Sequence, residues 1–401
     1  MADDLWRLTA RQMVERLKRG ELSPAEAIDA AAARIEETDG AVNAMVTRCF
    51  ERAHDRAKTL AGRGHPAEPG PGYLYGLPIS VKDLDEVAGV RCTYGSPIFA
   101  DHVPERSNLM VERLEQNGAI VIGKSNTPEF GAGSNTFNEV FGATRNPWDT
   151  RMTCGGSSGG AAVNLATGQC WLATGSDLGG SLRIPAAFCS VVGLRPSPGR
   201  VAHGTGPTQF NDLPVVGPIA RNVGDAALML DAMVGRNDRD PLSLEAPARP
   251  FQEAAAPRPP RRVGWSGTLG LAPVDPEVET ICAQAAQRFA GLGAEVEAAH
   301  PDLAGAQDIF QAMRAEIFVL GRQHLLEQHR DKLKPEVIWN IEKGMAMNTA
   351  DAMAAHRARV RLYQNVCDFF ERFDLLVTPT VMAPPFPVEI RYLTEVAGVS
   401  F

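Results

Sequence analysis

Between Leu77 and about Gly235 the chain alternates short apolar runs with helix-like stretches, and this alternation constrains the fold more than any other feature. Residues 77–81 read as a strand. Residues 110–117 read as a helix leading into a strand at 119–122, and 160–167 as a helix leading into a strand at 169–174. A further helix is predicted over 225–234. Strands that are apolar throughout need cover on both faces, so the pattern predicts an α/β layered fold with a central sheet between helices. Upstream, residues 8–60 read as helical. Ser23-Pro24-Ala25-Glu26 is a capping-box pattern with proline at the first helical position, and Ala27, Ile28, Ala31, Ala32 and Ile35 form one packing face. Residues 66–72 read as a Pro/Gly-rich loop, and 241–262 as an extended linker rich in Pro, Ala and Arg. Beyond it, strands are predicted at 262–265, 294–297 and 374–377, with helices at 275–292 and over most of 304–373.

Composition narrows the function. The 401 residues are 44% apolar and 22% charged, as expected of a globular chain able to bury a large core. The net charge of −8 supplies no basic field for nucleic acid, so no nucleic-acid partner is expected. No stretch approaches the roughly 20 apolar residues of a membrane span, and Met1–Arg7 lacks a signal-peptide pattern. The expectation is therefore a cytoplasmic enzyme with no membrane association. Seven cysteines are scattered without C-x-x-C spacing, and eight histidines lack any H-E-x-x-H or H-x-H cluster. Neither a disulfide framework nor a metal site is expected, and no cofactor.

Three glycine–serine motifs compete for the chemistry. Gly118-Ala-Ile-Val-Ile-Gly123-Lys124-Ser125 fits the P-loop pattern, but Ala-Ile-Val-Ile is strand material and Asn126-Thr127-Pro128 follows where a helix should begin. Gly156-Ser157-Ser158-Gly159-Gly160 fits the nucleophile elbow with Ser158 as nucleophile, but none of the downstream histidines sits in a distinctive loop. In Gly175-Ser176-Asp177-Leu178-Gly179-Gly180-Ser181-Leu182-Arg183-Ile184-Pro185, two glycines before a serine let backbone N–H groups approach a bound carbonyl. Such a run can be an oxyanion hole or simply a tight glycine turn.

Taken together, these residues resemble the amidase signature family. The resemblance runs in order through Gly76-Leu-Pro-Ile-Ser-Val-Lys82-Asp83, Gly123-Lys-Ser-Asn-Thr-Pro-Glu129-Phe130 and Gly142-Ala-Thr-Arg-Asn-Pro-Trp148. It continues through Gly155-Gly-Ser157-Ser158-Gly-Gly160, Gly175–Pro185 and Val192-Gly-Leu-Arg-Pro196, then more loosely to Gly217-Pro218-Ile-Ala-Arg221 and Thr378-Pro379-Thr380. It implies one domain over the chain, with α/β/α layers around a large mixed sheet. Residues 1–60 would supply N-terminal helices, 73–235 the catalytic core, and 262–380 a second α/β and helical part. It also implies a Ser–Ser–Lys triad: Ser181 as nucleophile, Ser157 as bridging serine, Lys82 as ultimate base, and a cis Gly156–Ser157 bond. The oxyanion donors would be the N–H groups of Leu178, Gly179, Gly180 and Ser181. Asp177 and Arg183 would order that loop, and Ser158 would either help position the relay or cap the next helix. Asp83 should point away from Lys82 on an extended segment. Cys154 reads as a buried small residue rather than a nucleophile.

The activity implied is hydrolysis of a small-molecule carboxamide or acyl-amide, releasing carboxylate and ammonia or amine. An esterase side activity follows from the easier leaving group. Two other readings stand beside it: the amidase subunit of a tRNA-dependent amidotransferase, and a non-catalytic remnant. The family's Pro-Ala-x-Ser-x-Pro and Gly-Leu-Pro-x-Gly patterns are missing after Thr380, which suggests a C-terminal truncation or a short form. Homodimers are common in the family, and the sequence does not decide the oligomeric state. Specificity is expected in the walls formed by 202–214 and 304–373.

Overall fold

Six strands build one mixed sheet: β1 (Met45–Arg48), β2 (Pro78–Lys82), β3 (Ile120–Ser125), β4 (Leu172–Asp177), β5 (Val192–Gly193) and β6 (Val215–Ala220). Their order across the sheet is β1-β3-β2-β4-β6-β5. β2 runs parallel to both β3 and β4, whereas β1, β6 and β5 each run antiparallel to their neighbours. Every residue of β2, β3 and β6 is buried, so the apolar runs have cover on both faces. Because β2 and β4 are parallel, Lys82 and Asp177 end their strands on the same edge of the sheet. That edge, beyond the carboxyl ends of parallel strands, is where open α/β sheets place their sites. The structure, a computed structural model, describes residues 2–204 and 206–400; Thr205 in the 202–214 wall and the terminal Phe401 lie outside the described residues.

Seven helices matter for this sheet: α1 (Ala10–Lys18), α2 (Pro24–Val42), α3 (Phe50–Arg63), α4 (Leu109–Gln116), α5 (Gly159–Ala166), α6 (Arg183–Cys189) and α7 (Val223–Met233). α2 starts as its sequence predicts: Ser23 and Glu26 close a capping box, and Pro24 occupies the first turn. Its Ala27, Ile28, Ala31 and Ile35 are buried, each isoleucine stabilising the fold by about 1.5–3 kcal/mol. α5 lies close against the loop after β3. A Cβ on Gly160 would stand 2.3 Å from the Asn126 backbone nitrogen, so only glycine permits that approach.

Three elements differ from the sequence reading, one being the linker 241–262, which holds a short helix at Phe251–Ala254. Residues 8–60 are not helical throughout, since Met45–Arg48 forms the edge strand β1. Asn43 ends α2 in the left-handed conformation, and the Asp39 carboxylate accepts from the Ala44 and Met45 N–H groups, turning the chain onto β3. β4 begins three residues later than expected. The Gln169 amide is held by Thr38 and Asp39, so the ladder starts at Leu172 and extends to Ser176 and Asp177.

The chain divides into two compact units. The first runs to Ala255 and includes Asp331–Lys334 and Pro387–Arg391; the second comprises Ala256–Arg330, Pro335–Phe386 and the segment from Tyr392. The second unit holds a parallel three-stranded sheet with Arg262–Trp265 between Glu295–Ala298 and Leu375–Val377. Helices Pro276–Gln287, Ala306–His329, Pro335–Ala346 and Thr349–Phe370 accompany it. Among the described residues no helix is long and apolar enough to cross a membrane.

Candidate active site

Lys82, the last residue of β2, is completely buried, and among the described residues its Nζ hydrogen-bonds only to hydroxyls. Nζ donates to Ser157 Oγ at 2.7 Å, Ser158 Oγ at 2.9 Å and Ser176 Oγ at 3.0 Å. The Lys82 N–H donates to Thr174 Oγ1 at 3.0 Å, fixing the strand end. Burial lowers the lysine from its ordinary 10.5 to about 7, against the opposing fields of Asp85 and Asp177. Asp83, next in the chain, faces elsewhere: it pairs with Lys124 at 3.3 Å and accepts from Thr93 N–H and Oγ1 at 3.1 and 2.6 Å. The turn that begins at Asp83 thus carries the nearest carboxylate in sequence to Lys124 and Thr93, away from Lys82 Nζ.

The second loop comes from the turn before α5. The Gly156–Ser157 bond is cis, and Ser157 is only 2% exposed. Ser158 occupies the N-cap position of α5 but makes no capping bond. Its hydroxyl instead accepts from Lys82 Nζ and from Ser176 N–H, and donates to Ser176 O, the last two at 3.3 Å. The Ser158 hydroxyl thus meets the lysine and not the helix N-terminus. Cys154 is buried, and burial pushes its thiol up to about 12, which leaves it protonated and poorly nucleophilic.

The third loop joins β4 to α6 and is organised by Asp177. Its Oδ1 accepts from Gly180 N–H at 2.8 Å and its Oδ2 from Leu182 N–H at 3.2 Å. Arg183 grips the same carboxylate with both arms, at 2.9 and 3.0 Å, and Arg195 reaches Oδ1 at 3.2 Å and the Asp177 carbonyl. Burial alone would raise this acid; Arg183, the Gly180 N–H and Arg195 outweigh it and hold it below the usual carboxylate range. Gly180 has φ +110°, a conformation that strains any other residue, and a Cβ there would meet Ile184 at 2.8 Å. Asp177→Ala strands a guanidinium pair and two loop N–H groups. It is expected to cost about 3–5 kcal/mol in urea unfolding, and a loss below about 1 kcal/mol would contradict this role.

The three loops converge, though not every expected contact forms. Ser158 N–H donates to the Ser181 carbonyl at 3.2 Å, which pins the second loop to the third. Among the described residues no hydrogen bond joins the Ser157 and Ser181 hydroxyls. Ser181 is partly exposed while Ser157, Ser158 and Lys82 are buried. Of the four expected oxyanion donors, the Gly180 N–H is committed to Asp177. No partner is recorded for the N–H groups of Leu178, Gly179 and Ser181 among the described residues.

The competing motifs occupy other roles. Gly118–Ser125 is largely strand β3, with Lys124 buried against Asp83 and donating to the Asp85 carbonyl at 2.7 Å. Among the described residues no cluster of His, Cys, Asp or Glu could hold a metal. Sequence reasoning gave no role to Ser176, Thr174 or Arg195. Residues 174 and 176 share one face of β4, and it is the position of β4 beside β2, set by strand order, that brings them to Lys82.

Residues 26–398 match the family described as Amidase. An acylamidase of Rhodococcus erythropolis is 35% identical over 387 residues, spanning 95% of this chain and 80% of that protein. A glutamyl-tRNA(Gln) amidotransferase subunit of Moorella thermoacetica is 35% identical over 403 residues, spanning 94% of this chain and 82% of that protein. Among solved structures, a bacterial aryl acylamidase of the amidase signature family superposes with a TM-score of 0.91 and 29% identity, over 98% of this chain and 84% of that one.

Proposed function

Because the chain belongs to the amidase signature family and is an amidohydrolase of linear amide C–N bonds, we propose that Ser181 is its nucleophile and Lys82 its base, with Ser157 between them. The observation that carries this reading is the lysine amine buried against three hydroxyls and brought to about 7 by that burial. A neutral amine can accept a proton where an ammonium cannot.

In this scheme Lys82 takes the proton of Ser157 as Ser157 takes that of Ser181. Ser181 Oγ attacks the amide carbonyl, and the oxyanion forms against the N–H groups of Leu178, Gly179 and Ser181. The relay returns the proton to the departing amine, which leaves an acyl-enzyme, and then activates water to release the carboxylate. The Ser157–Ser181 hydrogen bond closes on substrate binding, as catalytic contacts often tighten only in the complex. Ser158 and Ser176 hold Nζ in place. The acylamidase and aryl acylamidase relatives support acyl-amides as the substrate class.

Substrates that share an acyl group but differ in leaving group (an anilide, a primary amide, an ester) should pass through one common acyl-enzyme. In hydroxylamine they should give the same ratio of hydroxamate to carboxylate; ratios that follow the leaving group would remove the acyl-enzyme. The similarity to the glutamyl-tRNA(Gln) amidotransferase of Moorella thermoacetica supports a second reading, in which the chain is one component of such an enzyme. Co-purification with partner components would distinguish it.

A further inference from the structure

The turn after Lys82 carries a second buried acid. Asp85 N–H donates to the Lys82 carbonyl at 3.0 Å, so this turn folds back directly on the lysine. The Asp85 carboxylate is buried yet poorly satisfied. Oδ1 receives one long bond of 3.4 Å from Asn108 Nδ2, and Oδ2 is buried with no hydrogen-bond partner. A buried carboxylate oxygen left unpaired is costly and calls for a reason.

His203 supplies part of it. Its Nε2 lies 3.7 Å from Asp85 Oδ1, on a ring about one-third exposed against a carboxylate that is almost fully enclosed. The backbone that carries the ring is anchored: His203 and Gly204 N–H donate to Asp240 Oδ2 at 2.8 and 3.0 Å. His203 also lines a hollow that reaches Val215 and Val216 of β6, the residues paired with Asp177 and Ser176. Lys124 also lies close to Asp85, its Nζ donating to the Asp85 carbonyl at 2.7 Å. Lys124 is paired with Asp83, and burial keeps the Cys92 thiol protonated. On the far side of Lys82, Asp177 is compensated by Arg183 and Arg195. Asp85 exerts the larger effect of the two acids, with Asp177, whose fields favour the ammonium form of Lys82, the form that cannot act as a base.

We propose that Asp85 and His203 are a tuning pair for the relay, Asp85 holding the proton on Lys82 and His203 opposing it in its imidazolium form, so that together they set the pH at which hydrolysis begins. Both are positioning residues that act through Lys82, and the inference rests on the assignment of Lys82 as the base.

The test is kcat/KM for p-nitroacetanilide against pH in the wild-type chain, Asp85→Asn and His203→Lys. Removing the carboxylate, or fixing a cation beside it, should move the acid limb down by about one pH unit and raise the rate at pH 6, relative to the plateau, about fivefold. The limb position is independent of plateau height, so a partly impaired variant still reports. Because His203 is partly exposed, its substitution keeps the test open should Asp85→Asn fail to fold. Limbs that stay at the wild-type position overturn the proposal, and movement in only one variant overturns the pairing. A wild-type profile without a limb near 7, or a Lys82→Met variant that retains one, would instead defeat the assignment of the base.

Discussion

Replacing Ser181 with alanine is expected to lower amide turnover roughly 10⁴–10⁶-fold, the scale of losing the nucleophile from a unit whose members act together. The change removes one oxygen from a partly exposed side chain that has no recorded hydrogen bond among the described residues. The fold should therefore scarcely notice it, and the thermal midpoint should stay close to wild type. The N–H groups of Leu178, Gly179 and Ser181 survive the substitution, so residual activity would come from the oxyanion donors and substrate binding. Ser158→Ala should behave differently, because that hydroxyl holds Lys82 Nζ at 2.9 Å and bridges to Ser176. A Ser181→Ala variant within about tenfold of wild type would mean that the nucleophile lies elsewhere.

The second large effect concerns Lys82. Lys82→Met is expected to lower kcat/KM roughly 10³–10⁴-fold, as loss of a positioned base does. It should also abolish the acid limb of the pH profile. The direction follows from the chemistry. Below about 7 the amine is protonated and cannot accept from Ser157; above it the base is free, so wild-type activity rises with pH through that value. The same shift has a consequence for stability. Between about 7 and 10.5 the unfolded chain holds a proton on this lysine that the folded chain does not. Its burial cost is thus fully present below 7 and disappears as pH rises through 10.5. The stability of Lys82→Met relative to wild type should fall across that window, as read by urea unfolding near the two ends, at about pH 7 and about pH 10. A difference independent of pH would contradict a depressed lysine.

Local signals carried much of the architecture. The capping box at Ser23, the buried run through β2 and the alternation up to α7 are each set by neighbours within a few residues, where propensity and pattern act. β1 escaped because four residues between two helices leave too short a pattern, and its partner β3 lies far along the chain, with Met45 opposite Ser125. The positions proposed for the triad were legible only through family resemblance. Lys82 and Ser157 are 75 residues apart, and nothing local to either predicts a contact of 2.7 Å. Ser176 and Asp177 show the same limit from the other side. Both stood inside a motif, but what they do depends on strand order: β4 beside β2 delivers the Ser176 hydroxyl to Lys82, and the turn beyond β4 gives Asp177 the Gly180 N–H. The run of glycines suggested four oxyanion donors; the side chain that claims one of them could be seen only in three dimensions.

The most direct measurement is to react the chain with a fluorophosphonate and map the adduct by mass spectrometry, with Lys82→Met alongside. The arrangement of a reachable Ser181 over a buried Ser157–Lys82 relay predicts a single adduct on Ser181, formed far more slowly in the variant. An adduct on Ser158, or one on Ser181 whose rate is indifferent to Lys82, would contradict it.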